Sequence, residues 1–318
     1  MRSLGQSGVQ ISPLGLGTMT WGRDTDEYEA REQMELFVEA GGNFIDTADI
    51  YSDGQAESLV GEIVREMNSI DFFIATKSGI SKSTRRNDSS RKHLLTSLDA
   101  SITRLAVDAV DLWQVHVYDQ ATPLSEVADT LSYAINSGRA RYVGVSNYSA
   151  WQLVALQSLM PSGQKIISGQ YEYSLIQRGV EREVIPALHH SSAGLIAWSP
   201  LGRGVLTGKY RNSIPADSRA ASPHWGGFTK ALLTDSSRQV VDAVVAAAEG
   251  LGVAPLEVAL AWVRDAPHVT SVITGSRTAG QLRATLNANE LVLPEQIRAA
   301  LDDVAEVSIS YPDAAAQN

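Results

Sequence analysis

Eight times along this chain a short apolar run is followed, after a polar turn, by a stretch with apolar residues at helical spacing. The runs fall at residues 15–18, 43–45, 72–76, 110–115, 142–145, 166–169, 195–197 and 269–273. Strands this short and apolar, alternating with helices, belong in a parallel sheet buried on both faces. The spacing predicts helices over 28–40, 56–67, 90–104, 123–137, from 150 onward, 182–190, 234–251, 255–264 and 279–286. Ser90 and Ser149 stand where N-caps are needed, and Thr122-Pro123 supplies a cap and a first-position proline. Eight such units in 318 residues fit an α/β fold, a closed (β/α)8 TIM barrel read as one domain over residues 1–318. The other arrangement open to this pattern is a doubly wound open sheet, which carries Gly-x-Gly-x-x-Gly after its first strand. Here Gly15-Leu16-Gly17 runs into Thr18-Met19-Thr20, so the third glycine is missing. Outside the repeat, residues 3–14 alternate about Ser7-Gly8 and predict an N-terminal β-hairpin, and residues 294–307 predict an extra C-terminal helix. Residues 311–318 read as a loosely ordered tail of small residues.

Composition narrows the partners. A 44% apolar and 19% charged chain is ordinary for a soluble globular protein. A net charge of −10 argues against nucleic acid, whose phosphates need a basic surface. The absence of cysteine excludes disulfides and thiolate metal sites. No apolar leader follows Met1-Arg2-Ser3, and no stretch approaches the ~18 apolar residues of a membrane span. The expectation is a cytoplasmic protein that acts on a small molecule, without a membrane partner.

In a parallel barrel the strand ends and the loops after them build the active site. The residues at those positions are Asp46, Lys77, His116, Ser146-Asn147, Gln170, Trp198 and Gly275-Ser276-Arg277, with Tyr51 in the loop after the second strand. A phenol with pKa near ~10 can protonate a carbonyl oxygen if a neighbouring cation lowers that pKa. Lys77 is the candidate cation, Asp46 the carboxylate that holds it, and His116 a donor or relay for a substrate oxygen. Singly, each has a plain structural reading: a loop tyrosine packing its ring, a snorkelling lysine, a surface carboxylate or helix cap, a satisfied core histidine. Together they follow three consecutive strands, and the set carries more than its members. A metal site needs at least three converging ligands; only His116 and Asp46 are at hand, beside a repelling lysine.

At these residues the chain resembles the aldo-keto reductases, over nearly its whole length. The motifs are Leu14-Gly15-Leu16-Gly17-Thr18, Phe44-Ile45-Asp46-Thr47-Ala48-Asp49-Ile50-Tyr51, Ala75-Thr76-Lys77, Gly144-Val145-Ser146-Asn147-Tyr148 and Trp198-Ser199-Pro200-Leu201-Gly202. Gln170-Tyr171-Glu172-Tyr173-Ser174-Leu175 and Gly202-Arg203-Gly204-Val205-Leu206-Thr207-Gly208-Lys209-Tyr210 resemble the branch related to the potassium-channel β-subunits. The resemblance implies hydride transfer between NADPH and a carbonyl. It makes Tyr51 the acid in reduction, tuned by Lys77 and Asp46, with His116 orienting the carbonyl oxygen. It implies that Ser146, Asn147 and Gln170 hold the nicotinamide carboxamide and that Trp198 stacks on the ring. The backbone of Ser199, Pro200, Leu201, Gly202 and Arg203 would wrap the pyrophosphate near Lys209. Gly275, Ser276, Arg277 and Gln281 would hold the adenosine end, and a guanidinium at Arg277 suits the 2′-phosphate. The family commonly carries Glu-Asn where this chain has Ala284-Thr285, which removes adenine contacts. Trp21, Trp225 and Phe228 are candidate substrate-wall aromatics, favouring an apolar or aromatic carbonyl. Two functions follow from the resemblance: an NADPH-dependent carbonyl reductase, or a regulatory subunit that binds NADPH as a redox sensor for a partner protein.

Overall fold

Period-two geometry along the strands decides what this fold presents at its open end. A computed structural model describes residues 1–67, 71–81, 83–84, 86–223 and 226–307; Trp225 and the tail 311–318 lie outside the described residues. An antiparallel pair, β1 (Arg2–Ser3) and β2 (Gln10–Ile11), precedes the barrel. There follow β3 (Leu14–Gly17), α1 (Glu27–Glu39), β4 (Phe44–Asp46), α2 (Gln55–Glu66), β5 (Phe73–Ser78) and α3 (Arg91–Leu105). Next come β6 (Val110–Val115), α4 (Leu124–Asn136), β7 (Ala140–Ser146), α5 (Ala150–Leu159), β8 (Ile166–Glu172), α6 (Val184–His190) and β9 (Gly194–Trp198). After a long connection bearing α7 (Gly226–Lys230) come α8 (Asp235–Leu251), α9 (Pro255–Arg264), β10 (Val269–Thr274), α10 (Ala279–Asn287) and α11 (Glu295–Val304). Strands β3 to β10 pair in sequence order, all parallel, and β10 closes the barrel on β3.

Alternate residues of a strand share a face. On the inward faces, Phe44, Phe73, Ala75, Leu112, Ile196 and Ile273 make an apolar plug. Leu4 and Ile11 of the hairpin, both 0% exposed, belong to the same cluster, so the hairpin stoppers the barrel's N-terminal end. Truncating Phe44, whose ring meets Phe73 edge-on with centroids 5.9 Å apart, would cost about 3–5 kcal/mol. Two residues further along those strands the inward positions turn polar: Asp46 after Phe44, Lys77 after Ala75, Gln114 after Leu112. The barrel therefore has an apolar floor and a polar mouth, and helices pack the outward faces into the larger core.

Several boundaries differ from the sequence expectation. Lys77 lies within β5, because that strand pairs on through Lys77 with Gln114 and Ser78 with Val115. Ser146 and Gln170 likewise lie inside paired strands and face each other in register. Ser90 caps α3, accepting from the backbone N–H of His93 at 3.4 Å. Thr122 does not cap α4; its hydroxyl donates to Asp119 at 2.6 Å, and Pro123 takes the cap position. The last helix stops at Val304. Among the described residues no single helix is long and apolar enough to cross a membrane.

Candidate active site

The floor of the barrel mouth is organised by one ammonium group. Lys77 Nζ donates to Asp46 Oδ2 at 2.7 Å, to the carbonyl of Thr47 at 2.7 Å and to Tyr51 Oη at 3.2 Å. All three of its protons are used, which is what a 1%-exposed cation requires. Strand β4 ends at Asp46, and Thr47 and Asp49 stay tied to β5 through their backbone N–H groups. Tyr51 then opens a single 3-10 turn, Tyr51–Gly54, with Ser52, Asp53 and Gly54 all in left-handed backbone, φ 48°, 56° and 102°. Two of those are non-glycine residues, a conformation that costs free energy and persists only where surroundings enforce it. One such constraint is Ser52 Oγ donating to the Trp21 carbonyl at 2.6 Å.

Burial pushes the Tyr51 phenol above its ordinary range, while the Lys77 ammonium pulls it back. The phenol is thus a protonated donor at neutral pH. For Lys77, burial opposes the charge, but Asp46 and the phenol outweigh it, so the ammonium stays charged. Burial, and then repulsion from Lys77, pushes the His116 imidazole down to about 3. A neutral ring results, edge-on to Tyr51 with centroids 6.1 Å apart, and its buried Nδ1 has no hydrogen-bond partner among the described residues.

A cavity of about 810 Å³ opens above this floor. Asp46, Tyr51 and His116 line its inner end, with Ser146, Asn147 and Gln170 beside them. The amide protons of Asn147 go to His116 O at 3.1 Å and Ser146 Oγ at 3.0 Å, and Ser146 Oγ donates to Gln170 O at 2.9 Å. Gln170 Nε2 donates to Asp46 Oδ1 at 2.7 Å. With both Asn147 amide protons spent within the protein, its side-chain oxygen remains to accept a hydrogen bond from a ligand, while Gln170 keeps its side-chain oxygen and its second amide proton. Trp198, at the end of β9, lines the cavity and offers a flat apolar face.

Beyond Trp198 the wall is the loop Ser199, Pro200, Leu201, Arg203 and Gly204, coiled by positive φ at Ser199, Gly202, Arg203 and Gly204. Such left-handed stretches form concavities that accept anions. Gly202 itself is buried, its N–H bonded to the Ser199 carbonyl at 2.9 Å, and it shapes the loop without lining the cavity. The far end is made by Gly275, Ser276, Arg277 and Gln281, whose side-chain carbonyl accepts from the Arg277 N–H at 3.0 Å. Lys209, beside Gly204, and Arg219 also line the cavity. Among the described residues neither they nor Arg277 has a carboxylate within ion-pair distance; Arg277 donates to the Asp217 carbonyl at 2.6 Å. Burial depresses Arg219; Tyr210 offsets part of this, and repulsion from Arg277 adds to it. In a protein of net charge −10, three cations lining one cavity suit a ligand with several negative charges.

The structure departs from the sequence expectation at Trp21. Trp21 is not a wall residue: it is 0% exposed, and its indole N–H donates to Gln33 at 3.2 Å, under α1. The Arg203 side chain is already neutralised, forked onto Glu172 at 2.8 and 2.6 Å and laid over the Phe228 ring at 3.3 Å. Lys77 is covered by Asp46 and Tyr51 and lies beneath the cavity wall. Phe228 lines the cavity at 39% exposure, while Trp225 lies outside the described residues. Sequence reasoning missed Arg219, Thr207, Leu256, Thr278 and the Thr18–Thr20 turn. The turn had a signal, since it follows the first strand directly. Arg219 had none, because it enters from the middle of an irregular connection. Ala284 and Thr285 line the far end, where their small side chains offer fewer polar contacts.

Comparison with known proteins bears on this geometry. The sequence model of the Aldo/keto reductase family matches residues 13–306. A protein of Arabidopsis thaliana named a probable voltage-gated potassium channel subunit beta is 34% identical over 320 residues, covering 98% of this chain and 97% of that one. A protein of the same name from Oryza sativa subsp. japonica matches at 34% identity over the same shares. An uncharacterized oxidoreductase of Bacillus subtilis, YrpG, is 34% identical across 95% of this chain and 94% of its own.

Proposed function

The chain belongs to the aldo/keto reductase family, and from that premise we propose that it is an oxidoreductase that reduces an aldehyde or ketone to an alcohol with NADPH. The observation that carries this reading is the placement of Lys77 Nζ 2.7 Å from Asp46 and 3.2 Å from Tyr51, beneath a cavity also lined by His116. Tyr51 gives the proton from Oη to the carbonyl oxygen as charge develops there. Lys77 stabilises the phenolate left behind, and Asp46 keeps the ammonium charged and in place. The neutral imidazole of His116 fixes the carbonyl oxygen by a hydrogen bond without adding a second charge beside Lys77. NADPH, when bound, supplies the hydride.

The residues fit that cofactor. Asn147 and Gln170 keep free acceptors for a carboxamide, Trp198 offers a planar face for the nicotinamide ring, and the coiled loop after Trp198 suits a pyrophosphate. Lys209, Arg219 and Arg277 supply positive charge for further phosphate, which favours NADPH over NADH. Phe228 favours a substrate with an apolar or aromatic group.

The second reading, a redox-sensing regulatory subunit that binds NADPH, draws on the two relatives named as probable voltage-gated potassium channel β-subunits. NADPH oxidation with a panel of aromatic and aliphatic aldehydes separates the two. Turnover that Tyr51→Phe lowers on the order of 10²–10⁴-fold, with cofactor binding intact, supports the reductase. Tight NADPH binding without turnover on any aldehyde supports the sensor.

A further inference from the structure

One fully buried carboxylate stands outside the chemistry described so far. Glu57, in the first turn of α2, is 0% exposed. Its Oε1 accepts the hydroxyl of Thr76 at 2.5 Å, and its Oε2 accepts Arg104 Nε at 2.7 Å. Thr76 is the residue before Lys77 on β5. Since neighbours along a strand point to opposite faces, Lys77 reaches into the barrel while Thr76 reaches outward to α2. Arg104 closes the last turn of α3, which Gly61 of α2 lets approach: a Cβ there would meet the Leu105 carbonyl at 2.5 Å.

The same guanidinium underlies the strained turn. A Cβ on Gly54 would meet Arg104 Nε at 2.8 Å and Cδ at 2.9 Å, so the Arg104 side chain lies flat against the end of the turn that begins at Tyr51. Three consecutive left-handed residues need an outside constraint. Ser52 supplies one through the Trp21 carbonyl, and Arg104 forms the other side of the clamp.

We propose that Glu57 is a positioning residue for the proton donor: through Thr76 it fixes the strand segment that carries Lys77, through Arg104 it braces the turn that carries Tyr51, and so it sets the Lys77–Tyr51 separation. This rests on the assignment of Tyr51 as the acid. A bridging carboxylate at the outer surface of the barrel holds both ends of a 3.2 Å contact made inside it. Removing the charge while keeping the shape, as in Glu57→Gln, replaces the ion pair with Arg104 by a neutral contact and slackens the turn.

The test is Glu57→Gln beside wild type, with turnover normalised to the NADPH sites titrated in each preparation. The expected result is an unchanged Kd for NADPH, an unchanged KM for the aldehyde, and a kcat lower on the order of 10–100-fold, the penalty for a misplaced reacting group. A merely structural role would reduce the number of binding sites and leave kcat per site alone, and that outcome overturns the proposal. A crystal structure of the variant decides it independently of turnover: Tyr51 Oη should lie beyond hydrogen-bond reach of Lys77 Nζ, and a contact retained at 3.2 Å contradicts the role. If wild type reduces no aldehyde, the reductase reading fails, and this structural measurement alone decides the positioning claim. If Glu57→Gln does not fold, Thr76→Val, which removes one bond and keeps the ion pair, is read by the same two measurements.

Discussion

Gln170 Nε2 donates to Asp46 Oδ1 across 2.7 Å, and the other oxygen of the same carboxylate accepts from Lys77 at 2.7 Å. One acid therefore joins a cavity-wall residue on β8 to the ammonium that meets Tyr51. Hydrogen bonds to a charged group are worth about 1.5–3 kcal/mol, so loss of the amide loosens Asp46 as well as the wall. Gln170→Leu is predicted to weaken NADPH binding and lower kcat together, each about tenfold or more. Fluorescence titration and steady-state kinetics on one preparation check this. A change confined to one of the two would show that the wall and the acid are not linked.

Lys77 and Tyr51 differ in what their loss should do to stability. Lys77→Met leaves Asp46 buried without its cation, and breaking a buried pair this way costs about 3–5 kcal/mol. Tyr51→Phe removes one hydroxyl at the cavity edge and leaves the ion pair intact. Thermal melts should therefore show a marked fall in Tm for Lys77→Met and a small change for Tyr51→Phe, with turnover lost in both. Equal melts would mean that water replaces the cation.

Arg219 and Arg277, which line the cavity, predict cofactor choice. Arg219→Met and Arg277→Met should each weaken NADPH more than NADH, because only NADPH carries the additional phosphate there. A charge-assisted contact worth about 1.5–3 kcal/mol corresponds to roughly a ten- to hundredfold loss. Isothermal titration with both cofactors measures it. Equal losses for NADPH and NADH would place these arginines on the pyrophosphate.

His116 predicts an acid limb in stability. Unfolded, its imidazole binds a proton near its ordinary 6.5; folded, it is pushed down to about 3. Between those values the unfolded chain binds more protons, so the contribution of the neutral ring is lost as pH falls through that window. The ring lines an open cavity, so the effect is smaller than the full shift implies. His116→Gln should lose about 1–2 kcal/mol less than wild type between about pH 7 and about pH 4.5. Urea titrations at the two pH values check the sign; parallel losses would mean that the ring is solvated in the folded state.

The barrel was legible because its cause is local. A buried parallel strand reads as a short apolar run, a helix as a 3.6-residue stripe, and eight repeats leave few ways to close a sheet. Asp46, Lys77 and His116 stood out for the same reason, since polar residues at the ends of apolar runs mark the rim of such a barrel. The side-chain partners were not legible. Trp21 and Phe228 are both aromatics in rim loops, yet one is sealed under α1 against Gln33 and the other faces the cavity. Arg203 and Arg219 both line the cavity, yet the first is spent on Glu172 while the second, without a motif, has no carboxylate partner among the described residues. Residue type and spacing along the chain determined the strands, the helices and the polar rim. Which charges are paired, which are left for a ligand, and how a strained turn is braced depend on atoms brought together from residues dozens of positions apart, and only the closed barrel decides that.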